Sequence, residues 1–250
     1  MTGFEQFFID LADTNPKWNF VYFYQDVERS RIITGIYYTI ALSILTVFFS
    51  VVIGLLGAWM QGSKSKLARN IVQGFIQFFR NTPPFVQLLF FYFALGQFTP
   101  TYSPDGWLEV PIISNFGWAV ISLSLFAGAY NVEIFRSGIE AVPISTREAA
   151  ESLGYSRFQA FTTIILPLCF RICLPALNNN LINLVKTTTQ AFGIAVPELL
   201  YQCISVYNDY STSMNAVMLL MFIVFFLIVG LIAWSSSSLE KKLKIPGYGV

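Results

Sequence analysis

The sequence predicts an all-α membrane protein with five transmembrane helices, a periplasmic (outside) N-terminus and a cytoplasmic C-terminus. Hydrophobic residues make up 55% of its 250 positions and charged residues only 12%, which is about half the charged fraction usual in soluble domains. A bilayer core of about 30 Å is crossed by roughly 20 apolar residues in a helix. Five stretches reach that length with at most one charge: residues 32–61, 81–104, 110–132, 172–197 and 210–239.

Basic residues alternate from loop to loop and set the expected orientation of the spans. The loop after the first span holds Lys64, Lys66 and Arg69, whereas the loop after the second has acidic charges only. Four arginines follow the third span, no basic residue follows the fourth, and three lysines follow the fifth. Because cytoplasmic loops are rich in lysine and arginine, the loops after the first, third and fifth spans are expected in the cytoplasm.

The predicted organisation has three parts. Residues 1–31 form an external or interfacial N-terminal segment, residues 32–240 form the membrane domain, and residues 241–250 form a cytoplasmic tail. No cleavable signal is expected, because a fairly polar segment precedes the first apolar run and that run is too long for a signal-peptide core.

Several classes of function are disfavoured by composition. The chain lacks histidine, the commonest general base and metal ligand. Cys169, Cys173 and Cys203 are expected to be packing residues rather than metal ligands or a disulfide. We therefore expect no catalytic residue and no metal site. A net charge of +1 without a basic run also gives no sign of a nucleic-acid partner.

One polar segment, about residues 140–167, follows the third span in a predicted cytoplasmic loop. It contains two possible helix-capping boxes, at Ser145 and Glu148 and at Ser156 and Gln159. Gly154 lies where a left-handed residue would end the first helix. The pattern predicts two short helices with a glycine hinge between them, which are too polar to enter lipid.

The same segment carries a longer motif: E-A-A, three residues, G, nine residues, then I-x-L-P. Seven positions meet it: Glu148, Ala149, Ala150, Gly154, Ile164, Leu166 and Pro167. The motif resembles the EAA loop of the membrane subunits of bacterial ABC importers. The stretches "FFRNTPPFVQLLF" and "GAYNVEIFRSGI" are similar to the polar amino-acid branch of that permease family, and the likeness covers roughly residues 33–245.

The resemblance implies the permease subunit of an ATP-driven amino-acid importer, multi-pass in a bacterial cytoplasmic (inner) membrane. It implies ATPase subunits that bind ATP and Mg, a second permease subunit that is identical or paralogous, an extracytoplasmic amino-acid-binding protein, and membrane lipid. The chain itself has no G-x-x-x-x-G-K-[ST] phosphate loop, so a separate subunit would hydrolyse ATP and no cofactor is expected here. The residues expected to contact the ATPase are Arg147, Glu148, Ala149, Ala150, Ser152, Leu153, Gly154, Leu166 and Pro167.

Charges at membrane depth are the candidates for a solute path, because each is costly unless it is paired or wetted. Arg80 precedes Pro83 and Pro84, where a helix should break, and its guanidinium could bind an α-carboxylate or instead reach lipid phosphate. Glu133 is expected to pair with Arg136, the alternative being a substrate amine. The full set for the path is Arg80, Asn81, Thr82, Pro83, Gln87, Glu133, Lys186, Thr187 and Thr189.

Two departures from the family pattern affect these expectations. The family usually has Gly-Gln where this chain has Ser145–Thr146, and it often has Lys-Asp-Thr-Ser where this chain has Lys186 followed by three threonines. Lys186 lacks the neighbouring Asp, which favours an acidic or polar neutral amino acid over a basic one. Glu198, at the outer end of the same span, is expected to contact solvent or the binding protein.

Other functions stay open from the sequence. An importer of the same kind could carry another small solute. An ion-driven secondary carrier is disfavoured by few titrating groups and no evident inverted repeat. A membrane enzyme is disfavoured because Glu133, Lys186 and the cysteines are too scattered to form a nucleophile and base.

Overall fold

The computed structural model describes residues 3–243, which form ten α-helices and a two-stranded sheet. The helices are α1 (Gly3–Thr14), α2 (Asp26–Gln61), α3 (Lys66–Asn81), α4 (Pro84–Leu89), α5 (Asn115–Glu140), α6 (Ile144–Ser152), α7 (Arg157–Ala160), α8 (Leu166–Thr187), α9 (Leu199–Asp209) and α10 (Met214–Leu243). The antiparallel strands are β1 (Thr101–Tyr102) and β2 (Val110–Pro111). Two π-helical segments, Phe90–Leu95 and Phe161–Ile165, continue α4 and α7.

Within the described residues, four helical segments are long and apolar enough to cross a bilayer: Asp26–Gln61, Asn115–Glu140, Arg157–Ile194 and Ser211–Leu243. The remaining predicted span, 81–104, is shorter than expected. Its apolar helix covers Pro84–Phe98, which at 1.5 Å per residue reaches about 22 Å rather than the 30 Å of a bilayer core.

The predicted end of the second span, at residue 104, and the predicted start of the third, at residue 110, were wrong, because a β-hairpin lies between the two helices. Residues 101–102 and 110–111 form the paired strands, with Thr101 opposite Pro111. Three prolines, at positions 100, 104 and 111, cannot donate to a helical ladder. Gly106 has a φ of +75° in the turn between the strands. The third span therefore begins at Asn115.

The predicted helix break beside Arg80 is confirmed. Thr82 has extended backbone angles, φ −113° and ψ 141°, and ends α3. Pro83 follows it, and a residue before proline is sterically disfavoured in the helical region. The stretch ahead of the break is a separate amphipathic helix, α3, that buries Val72, Ile76 and Phe79.

The chain divides into two compact units. The first comprises residues up to Leu45, Phe85–Ser122 and Val185–Gly230; the second comprises Thr46–Pro84, Leu123–Leu184 and the residues from Leu231. The predicted division at residues 31 and 240 stays a prediction. Of the predicted tail, residues 244–250 lie outside the described residues.

In the first unit, the N-terminal segment joins a core with α9 and α10. Val21 and Tyr22 are buried there, and the Tyr22 hydroxyl donates to the Ala216 carbonyl oxygen at 3.2 Å. Other buried members are Ile32, Leu199, Cys203, Val206 and Val217. This part of the segment is therefore packed within the first unit, and its predicted external or interfacial location stays a prediction.

Glu198 was expected at a solvent-facing position, and that expectation was wrong. Its side chain is fully buried and caps α9, accepting from the backbone N–H groups of Leu200 and Tyr201 at 2.9 Å. Burial raises the pKa of this carboxyl to about 7, although the two N–H groups act in the opposite direction. The preceding proline and the following apolar run are the signals that a helix begins here.

In the second unit, α2 and α5 cross closely because glycines line both helices. A Cβ added at Gly54 would lie 2.4 Å from the Cβ of Asn131, and one added at Gly57 would lie 2.4 Å from Val132 Cγ2. A Cβ at Gly128 of α5 would lie 2.6 Å from Ile53 Cγ2. Small residues at such crossings let two membrane helices approach closely, and packing then holds them together.

Cys169 and Cys173 of α8 pack against α5, as predicted for packing residues. Both are free thiols and buried, and their Sγ atoms lie 3.8 Å apart. The thiols donate to the carbonyl oxygens of Phe135 at 3.4 Å and Ile134 at 3.0 Å. A glycine in α5 makes room for them, since a Cβ at Gly138 would lie 2.0 Å from Cys173 Sγ.

Gly54→Ala is expected to destabilise the protein, because the added methyl group would overlap the Asn131 side chain and approach its backbone carbonyl carbon. Overpacking of this kind costs about 1–3 kcal/mol. Gly74→Ala is the matched control, since a Cβ there has no atom within 4 Å and should be neutral or stabilising. Thermal unfolding in detergent measures both. Equal melting temperatures for the two variants would contradict the close crossing.

Candidate functional site

The first helix of the 140–167 segment ends in a Schellman motif, as Gly154 predicted. Gly154 has a φ of +79°. Its N–H donates to the Glu151 carbonyl oxygen at 3.0 Å, and the Tyr155 N–H reaches back to the Ala150 carbonyl oxygen at 3.1 Å. These bonds satisfy the last turn of α6 and reverse the chain direction.

One of the two predicted capping boxes is present. Ser156 accepts from the Gln159 N–H at 3.3 Å, and the Gln159 side chain accepts from the Ser156 N–H at 3.0 Å. The box at Ser145 was wrong, because α6 begins two residues earlier than that cap requires, at Ile144, and Pro143 is its N-cap. Pro143 has a non-helical ψ of 141°, and Ser145 lies inside the first turn of α6.

The second short helix was also predicted wrongly as a separate element. Its residues continue without interruption from α7 through the π-helical segment into α8. Pro167 explains the π turn: its ring would clash with the carbonyl of residue 163 in a regular helix. Instead the Leu166 N–H donates to the Phe161 carbonyl oxygen, five residues back.

The tip of the segment is fully exposed, whereas its base is anchored. Residues 151–159 are all exposed, and the exposed fraction is 76% for Leu153 and 73% for Phe158. At the base, Ala150 is buried and Arg147 Nη2 donates to the Ile139 carbonyl oxygen at 2.9 Å. Residues 140–167 therefore form a protrusion, called the knob, that is anchored at its base and presents apolar side chains at its tip.

The other predicted contact residues lie around this knob. Glu148 and Ala149 are exposed on α6, and the Ser152 hydroxyl donates to the Glu148 carbonyl oxygen at 2.8 Å. Leu166 and Pro167 open α8 at the base. The sequence prediction missed Phe158, whose signal is an aromatic residue directly after a cap in a polar stretch.

The expected pairing of Glu133 with Arg136 was wrong. Glu133 forms an ion pair with Arg80, which also lies over the Tyr130 ring at 5.1 Å from its centroid. Arg136 instead pairs with Glu140, one turn further along α5, at 2.9 Å. The packing of α3 on α5, through Val72, Ile76 and Val132, brings Arg80 to Glu133. Sequence spacing alone could not show this contact.

The remaining path residues divide between the two units. In the second unit, Asn81 Nδ2 donates to Gln77 Oε1 at 3.0 Å, Thr82 donates to the Phe78 carbonyl oxygen at 2.7 Å, and Pro83 forms the break. The first unit holds Gln87, Lys186, Thr187 and Thr189.

Within the first unit, Gln87 is buried in α4, and Lys186 is exposed at the end of α8. No ion pair among the described residues involves Lys186. The Thr189 hydroxyl donates to the Lys186 carbonyl oxygen at 2.9 Å.

A buried polar network in the second unit was not predicted. Asn131 donates to Ser50 Oγ at 3.2 Å, and Asn180 donates to Asn131 Oδ1 at 2.7 Å and to the Ala127 carbonyl oxygen at 3.1 Å. The network joins α2, α5 and α8. Amide side chains inside apolar spans were the available signal, since they are costly in lipid unless they are hydrogen-bonded.

Known proteins are similar to this chain in sequence and in fold. The L-cystine transport system permease protein TcyB of Bacillus subtilis (strain 168) is 36% identical over 165 residues, which cover 66% of this chain and 66% of TcyB. The histidine/lysine/arginine/ornithine transport system permease protein HisM of Escherichia coli (strain K12) is 36% identical over 167 residues, 67% of this chain and 70% of HisM.

A crystal structure of an amino acid ABC transporter with histidines superposes with a TM-score of 0.73 at 28% identity, covering 86% of this chain and 94% of that chain. Residues 50–244 match the family described as the binding-protein-dependent transport system inner membrane component. These matches confirm the resemblance seen in the EAA motif. The chain is a multi-pass inner-membrane protein and belongs to the family of binding-protein-dependent transport system inner membrane components.

Proposed function

We propose that the chain is the permease subunit of an ATP-driven importer for an amino acid. Two permease subunits, identical or paralogous, line the path, and an extracytoplasmic binding protein delivers the solute. Separate ATPase subunits bind ATP and Mg and hydrolyse the nucleotide. The observation that carries the proposal is the knob of residues 140–167, here called the coupling loop, with apolar side chains exposed on an anchored base.

The coupling loop suits a contact with a grooved partner. Leu153 and Phe158 supply exposed apolar surface without charge, and exposed apolar groups rimmed by polar residues are typical of protein interaction sites. Glu148 and Glu151 supply the polar rim on α6. The proposed orientation, with the N-terminus outside and five spans, puts this loop in the cytoplasm beside the ATPase.

Movement would pass from the loop to the membrane as a rigid body. The helix that begins at Arg157 is continuous through Leu166 to the end of the span at Ile194. A push on the knob therefore tilts a helix inside the membrane rather than bending a flexible linker. Linkage of this kind needs a two-state membrane core whose equilibrium ATP binding biases.

The Arg80–Glu133 pair supports an amino acid as solute. An amino acid carries one carboxylate and one ammonium, the same two charges as the pair. In the proposed exchange the solute carboxylate takes the place of Glu133 on the guanidinium, and its ammonium faces Glu133. Both side chains are little more than a third exposed, so a solute can reach them and water only partly screens them.

The finer choice of an acidic or polar neutral amino acid rests on Lys186 alone. Lys186 is exposed, and the acidic residue that often follows it in the family is a threonine here. The relatives do not favour this choice, because HisM is the permease protein of a histidine, lysine, arginine and ornithine transport system. Uptake of glutamate, aspartate or glutamine in preference to arginine or lysine would support it.

Gly154→Val is expected to separate ATP hydrolysis from transport. A side chain at a φ of +79° strains the backbone by about 1–2 kcal/mol, and the Schellman turn that shapes the knob would open. Amino-acid uptake per ATP hydrolysed should fall several-fold in proteoliposomes containing the assembled transporter.

Gly106→Val is the matched control for that experiment. Gly106 also has a positive φ, +75°, and open space around its Cβ position, but it lies in the hairpin between β1 and β2. It should leave the ratio of uptake to hydrolysis unchanged. Normal transport by Gly154→Val would contradict the coupling role. An equal fall in the ratio of uptake to ATP hydrolysis in both variants would also contradict it.

Arg80→Gln is expected to lower uptake by on the order of tenfold, since hydrogen bonds to charged groups contribute about 1.5–3 kcal/mol. Glu133→Gln should lower it similarly. The double variant should recover thermal stability, because no uncompensated charge is left, but should not recover uptake.

The matched control neutralises Asp26 and Arg29, an exposed ion pair three residues apart near the start of α2. Asp26→Asn with Arg29→Gln should transport normally. Uptake that returns in the Arg80/Glu133 double variant would mean that the pair is only structural, and the proposed solute contact would be wrong.

A further inference from the structure

The second unit contains a groove that reaches beyond the coupling loop, although Arg147, Glu151 and Phe158 of that loop form part of its lining. It has a volume of about 1220 Å³ and lies where the ends of α2 and α5 meet α3, α6 and α7. Both α2 and α5 are membrane-spanning candidates. The groove therefore lies at the ends of two helices that are long and apolar enough to cross a bilayer.

The charge of the groove is positive. Four arginines and two glutamates line it: Arg69, Arg136, Arg147, Arg157, Glu140 and Glu151. Arg136 and Glu140 neutralise each other at 2.9 Å. This leaves three guanidinium groups against one carboxylate, and no ion pair of the described residues involves the three.

One donor in the groove is buried without a partner. The Nε atom of Arg147 is inaccessible and has no hydrogen-bond acceptor among the described residues, while its Nη2 donates to a backbone carbonyl. Arg69 likewise uses one nitrogen on the Ser63 carbonyl oxygen at 2.8 Å. Each guanidinium has five donors, so both retain donors for an anion.

Apolar side chains share the lining with the arginines. Trp59, Phe161 and Ile165 face the groove, and Trp59 is 62% exposed. An inorganic or sugar phosphate would leave this apolar surface uncovered. A phospholipid would place its phosphate on the arginines and its glycerol and upper acyl chain against Trp59.

We propose that this groove binds the headgroup of an anionic phospholipid from the cytoplasmic leaflet. Guanidinium groups bind phosphate oxygens bidentately, and basic pockets between membrane helices on this side suit anionic headgroups. The assignment to this leaflet rests on the proposed orientation of the spans, but not on which solute is transported. It holds the ends of α2 and α5 beside the base of the coupling loop, where a bound lipid would brace the knob.

The test uses the assembled transporter in phosphatidylcholine nanodiscs that contain a minor fraction of brominated phosphatidylglycerol. Bromine quenches nearby indole fluorescence, and subtraction of a Trp59→Phe variant isolates the Trp59 signal. Quenching should be stronger with brominated phosphatidylglycerol than with brominated phosphatidylcholine at the same mole fraction. Equal quenching by both lipids would overturn the proposal.

The double variant Arg69→Gln/Arg157→Gln should weaken phosphatidylglycerol binding about 30-fold. This value assumes that each basic residue at a membrane surface strengthens binding about 5-fold. Arg171→Gln with Lys241→Gln is the matched control, because both residues are exposed and lie outside the groove. Thermal unfolding checks that each variant is folded. If the first double variant unfolds, Arg157→Gln alone replaces it, with an expected loss of about 5-fold.

Two further outcomes would overturn the lipid assignment. Glycerol phosphate or inorganic phosphate that displaces the quencher at millimolar concentration would identify a soluble phosphate ester as the ligand. Quenching that appears in the permease alone and vanishes when the ATPase is bound would show that a protein partner covers the groove.

Discussion

The close crossing of α2 and α5 is the constraint on which the second unit depends. Gly54 and Gly57 face Asn131 and Val132 with no space for a Cβ. Because the helices are this close, Asn131 reaches Ser50 on α2 and also accepts from Asn180 on α8. Three membrane helices are thereby tied by side-chain hydrogen bonds in a region where lipid offers no competing partner.

The crossing of α2 and α5 also supports the base of the coupling loop. The helix α5, held by α2, offers its backbone carbonyls to α8 and α6: Phe135 and Ile134 accept from the two thiols, and Ile139 accepts from Arg147. The knob is thus anchored to the same helix that carries Glu133. A partner that moves the knob acts on a packed body, and packed bodies respond by discrete rearrangement rather than continuous bending.

Local features could be predicted from the sequence, whereas contacts between distant segments could not. Gly154 and the Ser156–Gln159 box obey local rules of helix ends, and Pro83 obeys a local steric rule. The partner of Arg80 lies 53 residues away, so helical spacing favoured the wrong neighbour for Glu133. Hydropathy alone also could not separate the proline-rich hairpin from the spans beside it, because the hairpin carries few charges.

We propose that the chain conducts an amino acid under the control of an ATPase bound at its coupling loop. The most direct measurement is ATP hydrolysis by the chain, co-purified with its neighbouring subunits in nanodiscs, with a panel of amino acids and the binding protein. We expect that one amino acid stimulates hydrolysis and that reversing the charge of Glu148 abolishes the stimulation. Failure to co-purify an ATPase, together with uptake driven by an ion gradient alone, would contradict it and indicate a secondary carrier.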